Sequence, residues 1–303
     1  MLLGGAALLG LFVGLQAGQG PTTNWTPSGS DIKFSNSSNW SVPPVSDVAA
    51  TIFNFNLPAP LSADIDQPFS AYALLFSAAG PNATALTVSS NLTLGSGGIS
   101  ASNGARIKFA RGAAPASVVL ASAQTWDTAT LDTVIDINEF LGGSGALNKT
   151  GLGTLIVGPN TAGYTGSLSV QGGTLAISGE NLFQTSASLT LGSGTFLQVN
   201  GGNGASLSAP ITLGTGVTFK GDGLTAQTAL KLYGSVTLSN PVTTTTLQPG
   251  MTALFDAAGM INAGLPSTWT LTGGGTAFFK GTAGGNLATI KADGATVAFS
   301  SVS

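Results

Sequence analysis

A chain of 303 residues with nine Lys plus Arg, twelve Asp plus Glu and a net charge of −3 has no basic stripe, so nucleic acid is not an expected partner. Histidine and cysteine are both absent, which removes thiolate chemistry, disulfide stapling and nearly every zinc, copper or haem site. Only 7% of the residues are charged, glycine numbers 44, and the 43% hydrophobic content is dispersed in pieces of three to five residues, a texture of short strands and glycine corners rather than of a compact enzyme. Disorder is the alternative, but Leu, Ile, Val and Phe recur in phase, whereas disordered chains are depleted in them.

Residues 1–20, MLLGGAALLGLFVGLQAGQG, resemble the apolar core of a signal peptide with small residues near Ala17 and Gly18, although no Lys or Arg precedes Lys33. A buried N-terminal element is the other reading. Residues 21–60 are expected to form an N-terminal cap and the first strands. Trp25 and Trp40 flank the polar run DIKFSNSSN. They read as a plug for the end of a stack of coils, with a ligand platform as the alternative. Pro43 and Pro44 force an extended turn ahead of a strand over Ala50–Phe55.

From 61 to 126 the runs FSAYALLF, ALTV, NLTL, GISA, ARIKFA and SVVLAS predict further strands at looser spacing. Arg106, Lys108 and Arg111 form the only basic cluster, and alternation through Ile107 and Phe109 turns Arg106 and Lys108 to one outward face. A solvated face is expected, an anion site being the alternative. WDTATLDTVIDINEF is the most acidic stretch, with Asp127, Asp132, Asp136 and Glu139. On one strand Asp132 and Asp136 would sit about 13 Å apart, beyond the roughly 5–9.5 Å that paired glycosidic carboxylates need. Asp64 and Asp66, at i and i+2, would lie about 6.5–7 Å apart on one face. Neither pair is assigned a catalytic role. The sequence assigns no catalytic, cofactor-binding or metal-ligating residue.

The clearest pattern lies at 144–178. Thr154–Val157, Leu168–Val170 and Thr174–Ile177 alternate at period two and are bounded by Gly and Asn. The first apolar residues of successive units, Leu147, Leu168, Leu189, Ile211 and Leu230, recur at steps of 21, 21, 22 and 19. Each is followed by a second unit: TLIV at 154–157, TLAI at 174–177, TFLQV at 195–199, VTF at 217–219 and VTL at 236–238. Such a unit cannot bury its apolar face alone, so the units must stack and pair in parallel. The expected fold is all-β, a parallel β-helix of roughly 19–22-residue coils over 61–303. GDG at 221–223 reads as a corner, and neither a calcium-binding nonapeptide nor a phosphate loop is present. After Pro241 the coils are expected to be irregular, with Ala253–Ala263 the least strand-like interval. The strand-like AFSSV near the C-terminus is expected to belong to a truncated or continuing chain.

LNKTGLGTLIVGPNTAGYTGSLSVQGGTLAISG resembles the autotransporter-associated β-strand repeat, with Leu147, Lys149, Gly151, Gly153, Thr154, Leu155, Tyr164, Gly166, Val170, Gly173, Thr174 and Leu175 on its pattern. NSSNWSVPP and the run ASAQTWDTATLDTVIDINEFLGGSGALNKTG are similar to the stretch that leads into the first such repeat. The resemblance implies a right-handed parallel β-helix, exported by a signal peptide and working as a secreted, cell-surface or outer-membrane passenger. In complete members of that family a C-terminal β-barrel mediates secretion, and no series of amphipathic barrel strands stands at the end of this sequence. The expectation is a passenger fragment with an outer-membrane translocator or anchor encoded beyond it, a separately secreted β-helix being the alternative. The repeat is a scaffold signature and supplies no activity by itself. The expected function is therefore a non-enzymatic structural or adhesin-like module touching extracellular glycan or other cell-surface components. A polysaccharide lyase or glycosidase on the same fold, using surface carboxylates, is the alternative.

Overall fold

Two- to ten-residue strands with one apolar face have nowhere to bury it except against copies of themselves, and stacking is how this chain does so. The computed structural model describes residues 21–56, 61–77, 83–112, 116–137, 140–161, 163–184, 188–201, 203–224, 228–256, 267–280 and 287–300. The expected signal segment 1–20 lies outside them, as does Glu139. Among the described residues a 3-10 turn, Ser37–Asn39, is the one helical element, and the named strands pair in parallel. None of the described residues forms a helix long and apolar enough to cross a membrane, which says nothing of β-barrels.

The result is a parallel β-helix of about nine turns. Its first sheet has 13 strands and runs from Thr22–Asn24 to Val236–Leu238. The second has 11, from Leu61–Ile65 to Leu287–Asp293, and the third has six, from Gly179–Leu182 to Thr296–Ser300. At about 4.8 Å between neighbouring strands, the stack makes a rod roughly 40 Å long.

Register turns identical positions into columns. Leu147 pairs with Leu168, Leu168 with Leu189, and Leu189 with Ile211, so the expected steps of 21, 21 and 22 residues are real coils. The strands Thr154–Val157, Leu168–Val170 and Thr174–Ile177 stand where the alternation puts them. In the second sheet Ile107, Ile135, Leu155, Leu175, Leu197, Phe219 and Leu247 stack in one buried column.

Two expectations about the repeat fail. Leu230 does not continue the Leu147 column: it lies in the third sheet opposite Ala205, and Ile211 pairs instead with Val236, 25 residues on. That coil has the same three strands as the one before it, but Val217–Gly221 and Thr228–Leu232 are longer than Phe196–Val199 and Ala205–Leu207, so this coil exceeds 19–22 residues. VTL at 236–238 is accordingly a first-sheet strand, not the second unit of a coil. After Pro241 the strands are longer than the first-sheet triplets, and the register between Ser267–Thr272 and Leu287–Asp293 shifts between Ser267 and Thr268. Val242–Leu247 and Ser267–Thr272 pair over five residues, and Met251–Phe255 takes up the start of the interval expected to be least strand-like. The remainder of that interval, from 257, is outside the described residues.

The first coils are closed by aromatic rings. Trp25, Phe34, Trp40, Phe53, Phe55 and Phe69 are buried together, with Trp25 and Trp40 edge-on at 4.8 Å between centroids and Phe34 and Trp40 at 5.0 Å. Trp40 Nε1 donates to the Phe34 carbonyl at 2.9 Å, and buried Asn39 donates to the Asp31 and Lys33 carbonyls while accepting from the Gly29 amide. The tryptophans therefore form a plug: their faces are inside the cluster, not presented to a ligand. Toward the other end Phe255, Trp269 and Phe279 pack together, and Phe299 stacks on Phe279 at 5.5 Å while 69% exposed.

Candidate functional site

Of the carboxylates that the sequence offers as acid pairs, Asp66 is held by structural bonds, Asp64 has a buried Oδ1 without a hydrogen-bond partner, and Asp132 and Asp136 lie on different elements. Asp66 lies just past the strand Leu61–Ile65 and accepts from both the amide and the hydroxyl of Ser35, tying the capping segment to the first coil of the second sheet. Asp64 sits within that strand, its backbone bonded to Ile32 and Phe34. Asp132 and Asp136 do not share an extended strand. Asp132 lies inside the turn closed by Thr133 N to Thr130 O at 3.0 Å, ahead of the strand Val134–Ile137, and is exposed, whereas Asp136 lies within the strand in register with Lys108. Asp127 accepts from Thr150 Oγ1 on the next coil at 2.7 Å.

Arg106 and Lys108 face outward as alternation requires, and Arg111 lies 4.7 Å over the Phe140 ring. The GDG corner is a corner: the Asp222 carboxylate accepts from the amides of Gly201 and Leu224, and Gly223 takes φ +77°. Among the described residues no group of three or more His, Cys, Asp or Glu is placed to hold a metal ion.

Lys149 is the residue that the composition does not anticipate. In the strand Leu147–Thr150, Leu147 points inward, so Lys149 two positions on points inward as well. It sits in a column with Ile99, Trp126, Val170 and Leu191 and is fully buried. Its ammonium is surrounded by four oxygens: Thr128 Oγ1 at 2.8 Å on the preceding coil, the carbonyls of Thr150 and Gly151 at 3.0 and 3.1 Å, and Gly172 O at 2.8 Å on the following coil. Removal from water pulls its pKa down to about 8, against the opposite pull of the Asp127 carboxylate. Gly151, at φ +74°, supplies a carbonyl by turning the chain in a way that a side chain resists. Tyr164 works similarly one corner away: its buried hydroxyl is within reach of Ser167 O at 2.7 Å and Gly145 O at 3.1 Å, and burial raises its pKa. The readable signal for Lys149 was parity: a lysine on the same strand face as a core leucine.

On the outer side of the same strands lies a shallow groove. It is about 390 Å³, and Ser96, Thr125, Asn148, Ser167, Ser169 and Gln171 are among its polar lining. Buried Gln124 lines it too, its carboxamide taken up by Trp126 Nε1 and the carbonyls of Leu94 and Ser122. Its lining residues carry no charge and no aromatic ring. The floor is a register column, Thr125 beside Asn148 beside Ser169, and the column continues through Thr190, Thr212 and Thr237. Each later member is the middle residue of a three-residue strand whose two flanking side chains are buried. Asn148 Oδ1 has no hydrogen-bond partner. A second hollow of about 550 Å³ lies among Ser178, Glu180, Asn200 and Asn203, where Glu180 stands 3.7 Å from Lys231.

No family model, no curated protein and no solved structure matches the chain.

Proposed function

We propose that this chain is a non-enzymatic structural or adhesin-like passenger module of a bacterial surface or secreted protein, its β-helix serving as a rigid presenting rod. The observation that carries the reading is what the 147–175 motif does. Lys149 and Tyr164 bond to neighbouring coils, Gly153 N donates to Thr128 O, and Leu147 and Val170 fill the core. Motif residues are thus committed to joining coils rather than to a reacting centre. The side chains of Asp66 and Asp127 bond across the chain in the same manner. The outer face carries Asn, Ser and Thr in register, which suits weak, repeated polar contact better than chemistry on one bond.

The test is to couple the purified chain to beads and score attachment to bacterial and host cells against beads coated with an unrelated β-helix. Attachment above that background supports the adhesive reading, and none at any density refutes it. Steady release of reducing sugar from polysaccharide, abolished by Asp64→Asn with Asp66→Asn, would replace it with the hydrolytic alternative.

A further inference from the structure

We infer that the groove on the first sheet, with the polar column that extends it, is a binding track for a neutral, extended polysaccharide lying along the rod axis. The proposal rests on the adhesin-like reading and names its ligand. Two observations on one surface converge. The groove at Thr125, Asn148, Ser169 and Gln171 is concave and uncharged. Hydroxyl and carboxamide groups donate and accept equally well, and sugar hydroxyls do the same, whereas an anionic chain would call for Arg or Lys. Asn148 Oδ1, buried in the floor of the groove, has no hydrogen bond within the protein, so a ligand reaches it only once the carboxamide turns outward.

Spacing supplies direction. Thr125, Asn148, Ser169, Thr190, Thr212 and Thr237 are successive partners in register, so they repeat at about 4.8 Å in a line parallel to the axis. An extended β-linked pyranose chain advances per ring by nearly that distance, giving one ring to each coil. The positions ahead of each column residue are small or compact: Ala123, Ala146, Ser167, Ser188, Pro210 and Ser235, whose carbonyls from Ala146 onward accept ladder hydrogen bonds from the adjacent coil. On the other side Gly192 and Gly214 keep the trough low. Without an aromatic ring to stack on a sugar face, the hold comes from many weak hydrogen bonds. Binding must therefore strengthen with chain length.

The experiment is affinity electrophoresis and calorimetry of the whole chain with soluble mixed-linkage β-glucan, its hexasaccharide and disaccharide, and polygalacturonate as an anionic comparator. The polymer is expected to bind at least tenfold more tightly than the disaccharide, with polygalacturonate not retarding the protein. Ser169→Ile and Thr190→Ile, which put an apolar β-former in place of each hydroxyl from outside the core, are expected to weaken polymer binding at least tenfold. Thr218→Ile on the second sheet is expected to leave it unchanged. Circular dichroism and thermal melts confirm that each variant is folded, and Asn148→Ala, which adds no bulk, provides a second reading of the track. No retardation by β-glucan, equal binding of polymer and disaccharide, preference for polygalacturonate, or folded track variants that bind normally would each overturn the proposal. If beads carrying the chain still attach to cells after that outcome, the adhesin-like reading survives it; if they do not, both fall.

Discussion

Replacing Lys149 with methionine keeps the stem that packs beside Trp126 and Val170 and removes only the charged, donating end. Thr128 Oγ1 and the carbonyls of Thr150, Gly151 and Gly172 then lose a donor. The ammonium has three N–H groups to share among these four oxygens; at about 1.3 kcal/mol for each donor lost, near the low end for hydrogen bonds to a charged group, the loss is about 4 kcal/mol. Against it stands the cost of burying the charge. A pKa lowered from 10.5 to about 8 corresponds to about 3 kcal/mol at neutral pH. The variant should therefore be less stable than the parent by only about 1 kcal/mol at pH 7. The informative quantity is how that gap moves. Because the folded pKa is the lower one, the folded chain gives up its proton first; above pH 8 the unfolded chain binds more protons, and parental stability rises until pH reaches the unfolded pKa. From pH 8 to 9.5 the rise is about 2 kcal/mol, and the methionine variant lacks it. Urea denaturation of both proteins at half-unit steps from pH 7 to 9.5 measures the difference directly, other titrating groups cancelling between them. A gap that does not widen with pH, or a methionine variant more stable than the parent at pH 7, would refute the reasoning.

Trp40→Ala opens the aromatic plug and should cost about 3–5 kcal/mol, the range for truncating a buried large aromatic; hydrogen exchange should speed up in Asp47–Phe55 and Phe69–Phe76 well before it does in Thr154–Val157. Gly173→Ala forces a side chain into φ +66°, with its Cβ pressed on the backbone of Leu152 and Gly153, and should lower stability by at least about 2 kcal/mol, read as a shifted urea midpoint. An unchanged midpoint would mean that the corner has more room than described. Tyr164→Phe removes one hydroxyl from the carbonyls of Ser167 and Gly145 and should cost about 1–2 kcal/mol without altering the strand content seen by circular dichroism.

Period-two alternation made the strands at 154–157, 168–170 and 174–177 legible to the residue, because in each the inward positions are aliphatic and the bounding residues are Gly, Asn or small polar groups. The same signal cannot say which sheet a strand joins. Leu230 and Val236 each begin an alternating triplet, and only three-dimensional stacking shows that the second is the partner of Ile211. Trp25 and Trp40 were readable as a plug since two large rings in a polar segment have little else to pack on. Asp132 and Asp136 misled because an extended strand was drawn through Thr133, whose backbone and hydroxyl instead close a turn with Thr130. The groove on the first sheet left no trace in sequence. Its lining comes from residues about 21 to 23 apart in the chain, and singly Thr, Ser and Asn on an outward face are ordinary.

Lys149 has a mechanical consequence. In a stack of coils each layer ordinarily grips only the layer beside it, so a pull along the axis is resisted one interface at a time. The ammonium of this lysine holds oxygens of the layer before and the layer after its own, Thr128 and Gly172, at the same moment. Two interfaces there must give together. A rod loaded from its ends should part elsewhere first, leaving the three layers around residue 149 joined as the toughest segment of the shaft.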